Sequence, residues 1–217
     1  MVRSGSRKGG WLPSWILFAS TIVSSGQQMP SAELTDSGQV MVAGLSKSYI
    51  IRHLPVSSFP GLPVDVVGVL NRRGCTIPQT YEAHHPENVV HASLERAGSS
   101  DWALLCSVKG TVSLLVFFDS AANKGPAEVS RRDESQPLVL ASGPELQRLQ
   151  VHDPSGVLGF NWGIDPASPQ RVHEAQVGLE NPPARLDHDA LADAVVDHRT
   201  IYHFYSKAAW TILEMPN

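Results

Sequence analysis

Two apolar runs, Trp102–Val108 and Val112–Phe118, most constrain the fold of this 217-residue chain. Both are short, rich in Val, Leu and Phe, and apolar on both faces, which is typical of central strands of a buried sheet. Lys109–Thr111 separates them and predicts a hairpin turn, because Gly110 tolerates a positive φ. The preceding segment, Asn88–Glu95, alternates apolar and polar residues, so it predicts a strand with one face towards water.

The first 26 residues have the three parts of an export signal. In chain order they are the basic residues Arg3, Arg7 and Lys8, the apolar run Trp11–Val23 and the small residues Ser24–Gly26. The apolar run is too short to cross a bilayer core of ~30 Å as a helix. We therefore predict a signal peptide at 1–26 and a secreted or periplasmic protein, with an uncleaved membrane anchor as the alternative.

The sequence has two cysteines, Cys75 and Cys106. In an oxidising compartment an even number of cysteines favours a disulfide bond. The bond would join the end of a predicted helix, Pro63–Arg73, to the first apolar strand. The alternative is a pair of buried, reduced thiols.

Two helices are predicted. The first, Pro63–Arg73, has an apolar stripe and ends before Gly74, a natural C-terminal cap. The second runs from Ser168 to Gln176, with Ser168 as N-cap and proline at the first helical position. Residues 27–54 contain Pro, Ser and Gly with little periodicity, and predict a linker with at most one short strand.

The predicted fold class is α+β, a mainly antiparallel β-sheet with two short peripheral helices and one disulfide. A single β-rich domain would occupy residues 55–217. Because the central strands are apolar on both faces, each face needs a cover. The first helix would cover one face, and the C-terminal strands or the second helix would cover the other. The charged segment Asn123–Gln136 and most of Phe160–Pro183 are predicted to be loops.

Charge argues against two classes of partner. The formal net charge is −4 and no basic stripe is present, so we expect no nucleic-acid binding. The same argument excludes an anionic membrane after signal cleavage. An envelope protein or a glycan is the candidate partner.

The segments that contain Asp101 and Asp193 share a weak internal similarity, an acidic turn closed by Asp and followed by two apolar strands. This pattern resembles the FG-GAP or VCBS-type repeat of β-propeller blades, in which the turn binds calcium. The first copy keeps Gly98 and Asp101. The second keeps three aspartates and has Ala190 in the Gly position. Two copies cannot close a propeller, so we expect neighbouring hairpins of one sheet.

The resemblance implies calcium as the candidate cofactor, with Asp187, Asp189 and Asp193 as its ligands. A polar hairpin turn without metal is the alternative interpretation of these residues. The whole chain is also similar to exported bacterial proteins of uncharacterised function, a resemblance that implies no activity.

Catalytic motifs are scarce in the sequence. It has no Gly-x-Ser-x-Gly elbow, no His-Glu-x-x-His zinc motif and no Gly-rich phosphate loop, although it has nine histidines. We therefore predict a non-catalytic binding or structural module of the cell envelope. The alternative is a hydrolase whose His and Asp residues converge from separate loops.

Overall fold

The structure, a computed structural model, describes residues 33–121, 125–141, 156–182, 184–195, 200–213 and 215–216. Within these ranges the chain forms thirteen β-strands and two α-helices. The first sheet contains β1 (Leu34–Val42), β2 (Leu45–Pro55), β3 (Thr76–Gln79), β4 (Val89–Ala92), β5 (Asp101–Val108), β6 (Thr111–Phe117), β7 (Ala127–Asp133), β8 (Leu138–Leu140) and β9 (Leu158–Phe160). The second contains β10 (Trp162–Ala167), β11 (Ala190–Val195), β12 (Ile201–Ser206) and β13 (Ala209–Ile212), and the helices are α1 (Val64–Arg73) and α2 (Pro169–Ala175).

The strands pair almost entirely in antiparallel fashion. In the first sheet the order is β7-β6-β5-β3-β2-β9-β8, with β1 added to β2 and β4 added to β5. The parallel pair in this sheet is β2 with β9. The second sheet follows chain order, β10-β11-β12-β13, and its pairs are antiparallel. The predicted α+β class, with a mainly antiparallel sheet and two short helices, is confirmed.

The β5–β6 hairpin forms the centre of the first sheet. Its turn residues Lys109 and Gly110 have φ values of 52° and 78°, as the sequence predicted for a tight hairpin. Because side chains alternate along a strand, Leu105 and Leu114 face one side of the sheet, whereas Leu104 and Leu115 face the other. All four are fully buried, so both faces of the sheet are covered.

Helix α1 covers one face of this hairpin. Val66 and Leu70 form its buried stripe and pack in the same cluster as Leu104 and Leu115. The helix ends at Gly74, whose φ of 70° lets its N–H bond back to the last turn. The next residue forms the disulfide Cys75–Cys106, with a Cα–Cα distance of 5.3 Å. Both the helix and the predicted disulfide are confirmed.

The second sheet covers the other face of the hairpin. Trp162 and Ile164 of β10 and Leu191 of β11 are buried there and join the cluster that contains Leu105 and Leu114. Helix α2 packs on the opposite side of the second sheet, where Val172 meets Ala190, Ala192 and other buried residues. Its N-cap Ser168 accepts a hydrogen bond from the Arg171 N–H at 3.2 Å, as predicted. The layers are therefore α1, first sheet, second sheet and α2.

The linker predicted at 27–54 contains, in its described part, strand β1 and nearly all of β2. These strands form a long hairpin that turns at Ala43 and Gly44, both with positive φ. Strand β1 is exposed along most of its length, so its residues need not alternate between apolar and polar. Because this alternation is the signal that predicts a strand, the sequence did not predict β1. Both strands belong to the same compact unit as the other described residues. The predicted signal peptide lies outside the described residues.

Three further expectations differ from the structure. Asn123–Gln136 contains strand β7, and Phe160–Pro183 contains β10, because pairing with neighbouring strands outweighs their charged or irregular composition. The two repeat-like segments do not form neighbouring hairpins, since β5–β6 belongs to the first sheet and β11–β12 to the second.

Candidate functional site

The three predicted calcium ligands have different surroundings. The Asp187 side chain is 83% exposed and its carboxylate lies 2.5 Å from Nδ1 of His188. Asp189 is bound to Ser93 of the neighbouring segment through two hydrogen bonds, Ser93 N–H to Oδ2 at 3.1 Å and Asp189 N–H to the Ser93 carbonyl at 2.9 Å. Asp193 lies inside strand β11 and is 1% exposed.

Calcium at these residues stays a prediction. Calcium binding requires six to eight oxygen ligands around one point, and the carboxylates of Asp187, Asp189 and Asp193 have separate protein partners. Among the residues that the structure describes, no three His, Cys, Asp or Glu side chains are grouped so that they could hold a metal ion.

Asp193 is the centre of a buried polar network between the two sheets. Its carboxylate accepts two hydrogen bonds from Arg132 at 3.0 and 2.9 Å, one from Trp162 Nε1 at 2.7 Å and one from His203 Nε2 at 3.1 Å. The Arg132 guanidinium carbon lies 4.3 Å from the centroid of a Trp162 ring, within cation–π distance. The network joins β7 of the first sheet to β10, β11 and β12 of the second.

Asp101 has an equally saturated carboxylate in the first repeat-like segment. It accepts hydrogen bonds from the backbone N–H groups of Leu94 and Glu95 at 2.8 Å, from the Ser99 hydroxyl, and from the Asp119 N–H at 2.9 Å. It therefore fixes the loop before β5 and the chain that follows β6. Asp101 begins its strand, whereas Asp193 lies within one, so the two aligned aspartates occupy different structural positions.

A second buried pair, His53 and Glu134, lies beside Tyr49. The His53 Nε2 atom is 2.6 Å from a Glu134 carboxylate oxygen, and both residues are buried. Burial raises the pKa of Tyr49, and the negative charges of Asp36, Glu134 and Asp133 raise it further. The predicted loop at 123–136 hid this pair from sequence reasoning.

One His–Ser contact has the distance of a nucleophile and its base. His91 Nε2 lies 2.7 Å from the Ser100 hydroxyl, and the His91 ring stacks on Trp102 with centroids 4.5 Å apart. Both residues of the pair are exposed. Within the described ranges no carboxylate bonds to the other ring nitrogen of His91, so a third residue that would orient the imidazole is missing there.

An open pocket of about 340 Å³ lies on the face of the first sheet that α1 covers. Its lining residues are Arg73, Cys106, Val108, Thr111, Ser113 and Arg131. The pairing register aligns Cys106, Ser113 and Arg131 across β5, β6 and β7, while Arg73 comes from the last turn of α1. Because Cys75 follows two residues after Arg73, the disulfide ties this helix end to the pocket wall.

Comparison with protein-family models, with curated proteins and with solved structures finds no match to this chain. In the part of the chain that the structure describes, no helix has the length and apolar composition of a membrane span.

Proposed function

We propose that this protein is an exported, non-catalytic binding module of the cell envelope. The observation that supports this proposal most directly is the saturation of two buried carboxylates, Asp101 and Asp193. A general base needs an acceptor position directed at the substrate. Asp193 and Asp101 each accept four hydrogen bonds from protein donors, which is about the full capacity of a carboxylate. Their charges serve to join loops and sheets.

Two features support export. The first 26 residues have the basic, apolar and small-residue segments that predict a signal peptide, and the rest of the chain contains the Cys75–Cys106 disulfide. Disulfides persist in oxidising compartments and are rare in the cytosol. We expect the protein from the extracytoplasmic fraction to lack residues 1–26, which intact-mass measurement checks. A full-length, reduced chain recovered from the cytoplasm would contradict export.

The His91–Ser100 contact favours a second candidate function, a hydrolase in which Ser100 is the nucleophile and His91 its base. A fluorophosphonate probe and a set of ester, peptide and glycoside substrates distinguish the two functions. For a binding module we expect no labelling of Ser100 and no turnover above that of the Ser100→Ala variant.

The matched control for this experiment is Ser46→Ala, because the exposed Ser46 hydroxyl bonds to Gln39 rather than to a histidine. Turnover that Ser100→Ala abolishes and Ser46→Ala preserves would contradict the non-catalytic proposal and establish the hydrolase.

A further inference from the structure

We infer that the pocket between α1 and the β5–β6–β7 strands, defined by Arg73, Thr111, Ser113 and Arg131, is a binding site for a phosphate or sulfate group. This inference rests on the proposed binding function and names the chemistry of its ligand. Two guanidinium groups and two hydroxyls line one pocket, and none of its six lining residues is acidic. Such a set of donors is suited to an oxyanion.

The hydroxyl of Ser113 is the observation that points to a ligand. Ser113 is only 7% exposed, yet its hydroxyl has no hydrogen-bond partner among the described residues. The hydroxyl oxygen keeps contact with the solvent in the pocket, so it is open to an incoming ligand. Ser113 lines the pocket, so an oxyanion there would accept the missing hydrogen bond.

The two arginines differ in how free they are to bind. The Arg73 side chain has no hydrogen bond or ion pair with any residue in the described ranges. Arg131 bonds to Glu128 through Nη2 at 2.7 Å, and its side chain is 60% exposed. An exposed ion pair of this kind contributes little stability, about 0–1 kcal/mol. A ligand can therefore share the Arg131 guanidinium at small cost.

A second acidic residue lies beside the pocket without lining it. Asp133 is opposite Thr111 in the β6–β7 register, and its carboxylate accepts hydrogen bonds from the Ser135 N–H and hydroxyl at 2.9 and 2.5 Å. These bonds lower the pKa of Asp133 and keep it charged. An oxyanion in the pocket is repelled by this negative charge, so we expect both arginines to contribute to its binding.

The number and placement of donors favour a tetrahedral group over a carboxylate. A carboxylate offers two oxygens, whereas a phosphate or sulfate ester offers three that can accept from Arg73, Arg131 and the hydroxyls at once. The mouth carries both exposed arginines, so the remainder of an ester can extend into solvent. The group can come from a free ion or from a phosphorylated or sulfated sugar.

The experiment measures binding of inorganic phosphate, inorganic sulfate, glucose 6-phosphate and a sulfated N-acetylglucosamine to the oxidised protein, by calorimetry and by NMR. Arg73→Ala and Arg131→Ala should each weaken binding by about tenfold or more, the loss expected for hydrogen bonds to a charged group. Ser113→Ala should weaken it about two- to tenfold. Glu128→Gln should strengthen it, because it releases Arg131.

Arg72→Ala is the matched control. Arg72 precedes Arg73 in the same helix turn and carries the same charge, but it does not line the pocket. We expect it to change affinity by less than about twofold, and each variant is first checked for a native circular-dichroism spectrum and unfolding midpoint. Tighter binding of the esters than of the free ions would identify a sugar ligand, and the reverse a free ion.

The inference would be overturned if none of the four probes binds at about 10 mM, because a dissociation constant above this value means very weak binding. An equal loss in Arg72→Ala and Arg73→Ala would also overturn it, since general electrostatic attraction would then explain the binding. NMR spectra of the esters after incubation with the protein distinguish a failure of this inference from a failure of the proposed function. Hydrolysed ester would contradict the non-catalytic proposal, whereas intact ester with no binding would contradict the pocket alone.

Discussion

Replacement of Asn88 tests how the two sheets are held together. Asn88 is buried and lies between β3 of the first sheet and β10 of the second. Its amide nitrogen donates to the carbonyls of Pro78 at 2.8 Å and Trp162 at 3.2 Å, and its amide oxygen accepts from the Ile164 N–H at 3.1 Å. Its backbone has a φ of 66°, a left-handed conformation that Asn and Gly tolerate best.

The expected loss in the free energy of unfolding follows from the hydrogen-bonding groups that each substitution leaves unpaired. Asn88→Gly keeps the backbone conformation but leaves the Ile164 N–H and the Trp162 carbonyl without the amide. The Pro78 carbonyl still accepts from Gln79 Nε2 at 3.3 Å. These two unsatisfied buried groups cost about 1–3 kcal/mol each, so we expect a loss of about 2–6 kcal/mol in the free energy of unfolding. Asn88→Ala adds left-handed strain of about 1 kcal/mol.

The assay is urea unfolding of the oxidised protein, followed by tryptophan fluorescence. For a domain of this size the loss in Asn88→Gly corresponds to a fall in Tm of about 5–25 °C. Asn71→Ala is the control, because Asn71 is an exposed residue of α1, and it should stay within about 0.5 kcal/mol of the parent protein. A loss below 1 kcal/mol in Asn88→Gly, on the scale of ordinary surface changes of about 0.5 kcal/mol, would refute the reasoning.

Three other predictions concern buried or bonded groups. Asp193→Ala should lower the unfolding free energy by about 3–5 kcal/mol in the same assay, because it leaves the half-buried Arg132 guanidinium and the buried Trp162 and His203 N–H groups without their acceptor. A loss under about 1 kcal/mol would show that the network contributes little. The pKa of Tyr49 is raised above 10.0, so the neutral phenol favours the folded state. Its contribution to stability is complete below about pH 10 and is lost as the pH rises through the folded pKa. The Tm of Tyr49→Phe should therefore fall less steeply above about pH 10 than the Tm of the parent protein. Parallel curves of Tm against pH for the two proteins would contradict this prediction. Removal of the disulfide by replacing Cys75 and Cys106 with Ser should cost about 3–4 kcal/mol for its sequence separation of 31, and thiols that titrate freely in the folded parent would contradict the bond.

The elements that the sequence predicted correctly share strong local signals. Strands β5 and β6 are apolar on both faces, and the turn between them contains Gly110. Helix α1 combines an apolar stripe with Gly74 at its end. The even number of cysteines, together with a predicted export signal, favours a disulfide. Each of these signals lies within a few residues, so a reader of the sequence can recognise it without knowing the tertiary fold.

Strand β7 shows why other elements could not be predicted. Its residues Arg131 and Arg132 read as part of an exposed, charged loop, because a sequence window shows their charge and not their partners. In the structure they point to opposite faces of the sheet. Arg131 lines the pocket, whereas Arg132 binds Asp193, which is 61 residues away. Pairings over such distances leave no local pattern, and no residue in the candidate pocket was selected from sequence except Cys106.

The aspartates illustrate a related ambiguity. A carboxylate before a strand can bind a cation or accept hydrogen bonds from N–H groups, and the same residue type serves both purposes. Asp101 and Asp193 were selected by an acidic pattern, and the structure surrounds both with N–H and O–H donors. The Arg132 guanidinium already supplies Asp193 with a positive charge. A calcium ion bound to Asp193 would have to displace the Arg132 guanidinium. The calcium prediction therefore requires that these side chains rearrange.

The polar contacts at the sheet interface also specify how the sheets are aligned. Apolar side chains of an interface tolerate many relative positions, since burial of apolar area has no direction. Asn88 bonds to the backbone of Trp162 and Ile164, while Asp193 bonds to the indole of the same Trp162. A shift of β10 by one residue would turn its side chains to the opposite face and leave all these groups unpaired. Strand β10 is thus fixed from both sides, and these contacts specify one alignment of the second sheet over the β5–β6 hairpin.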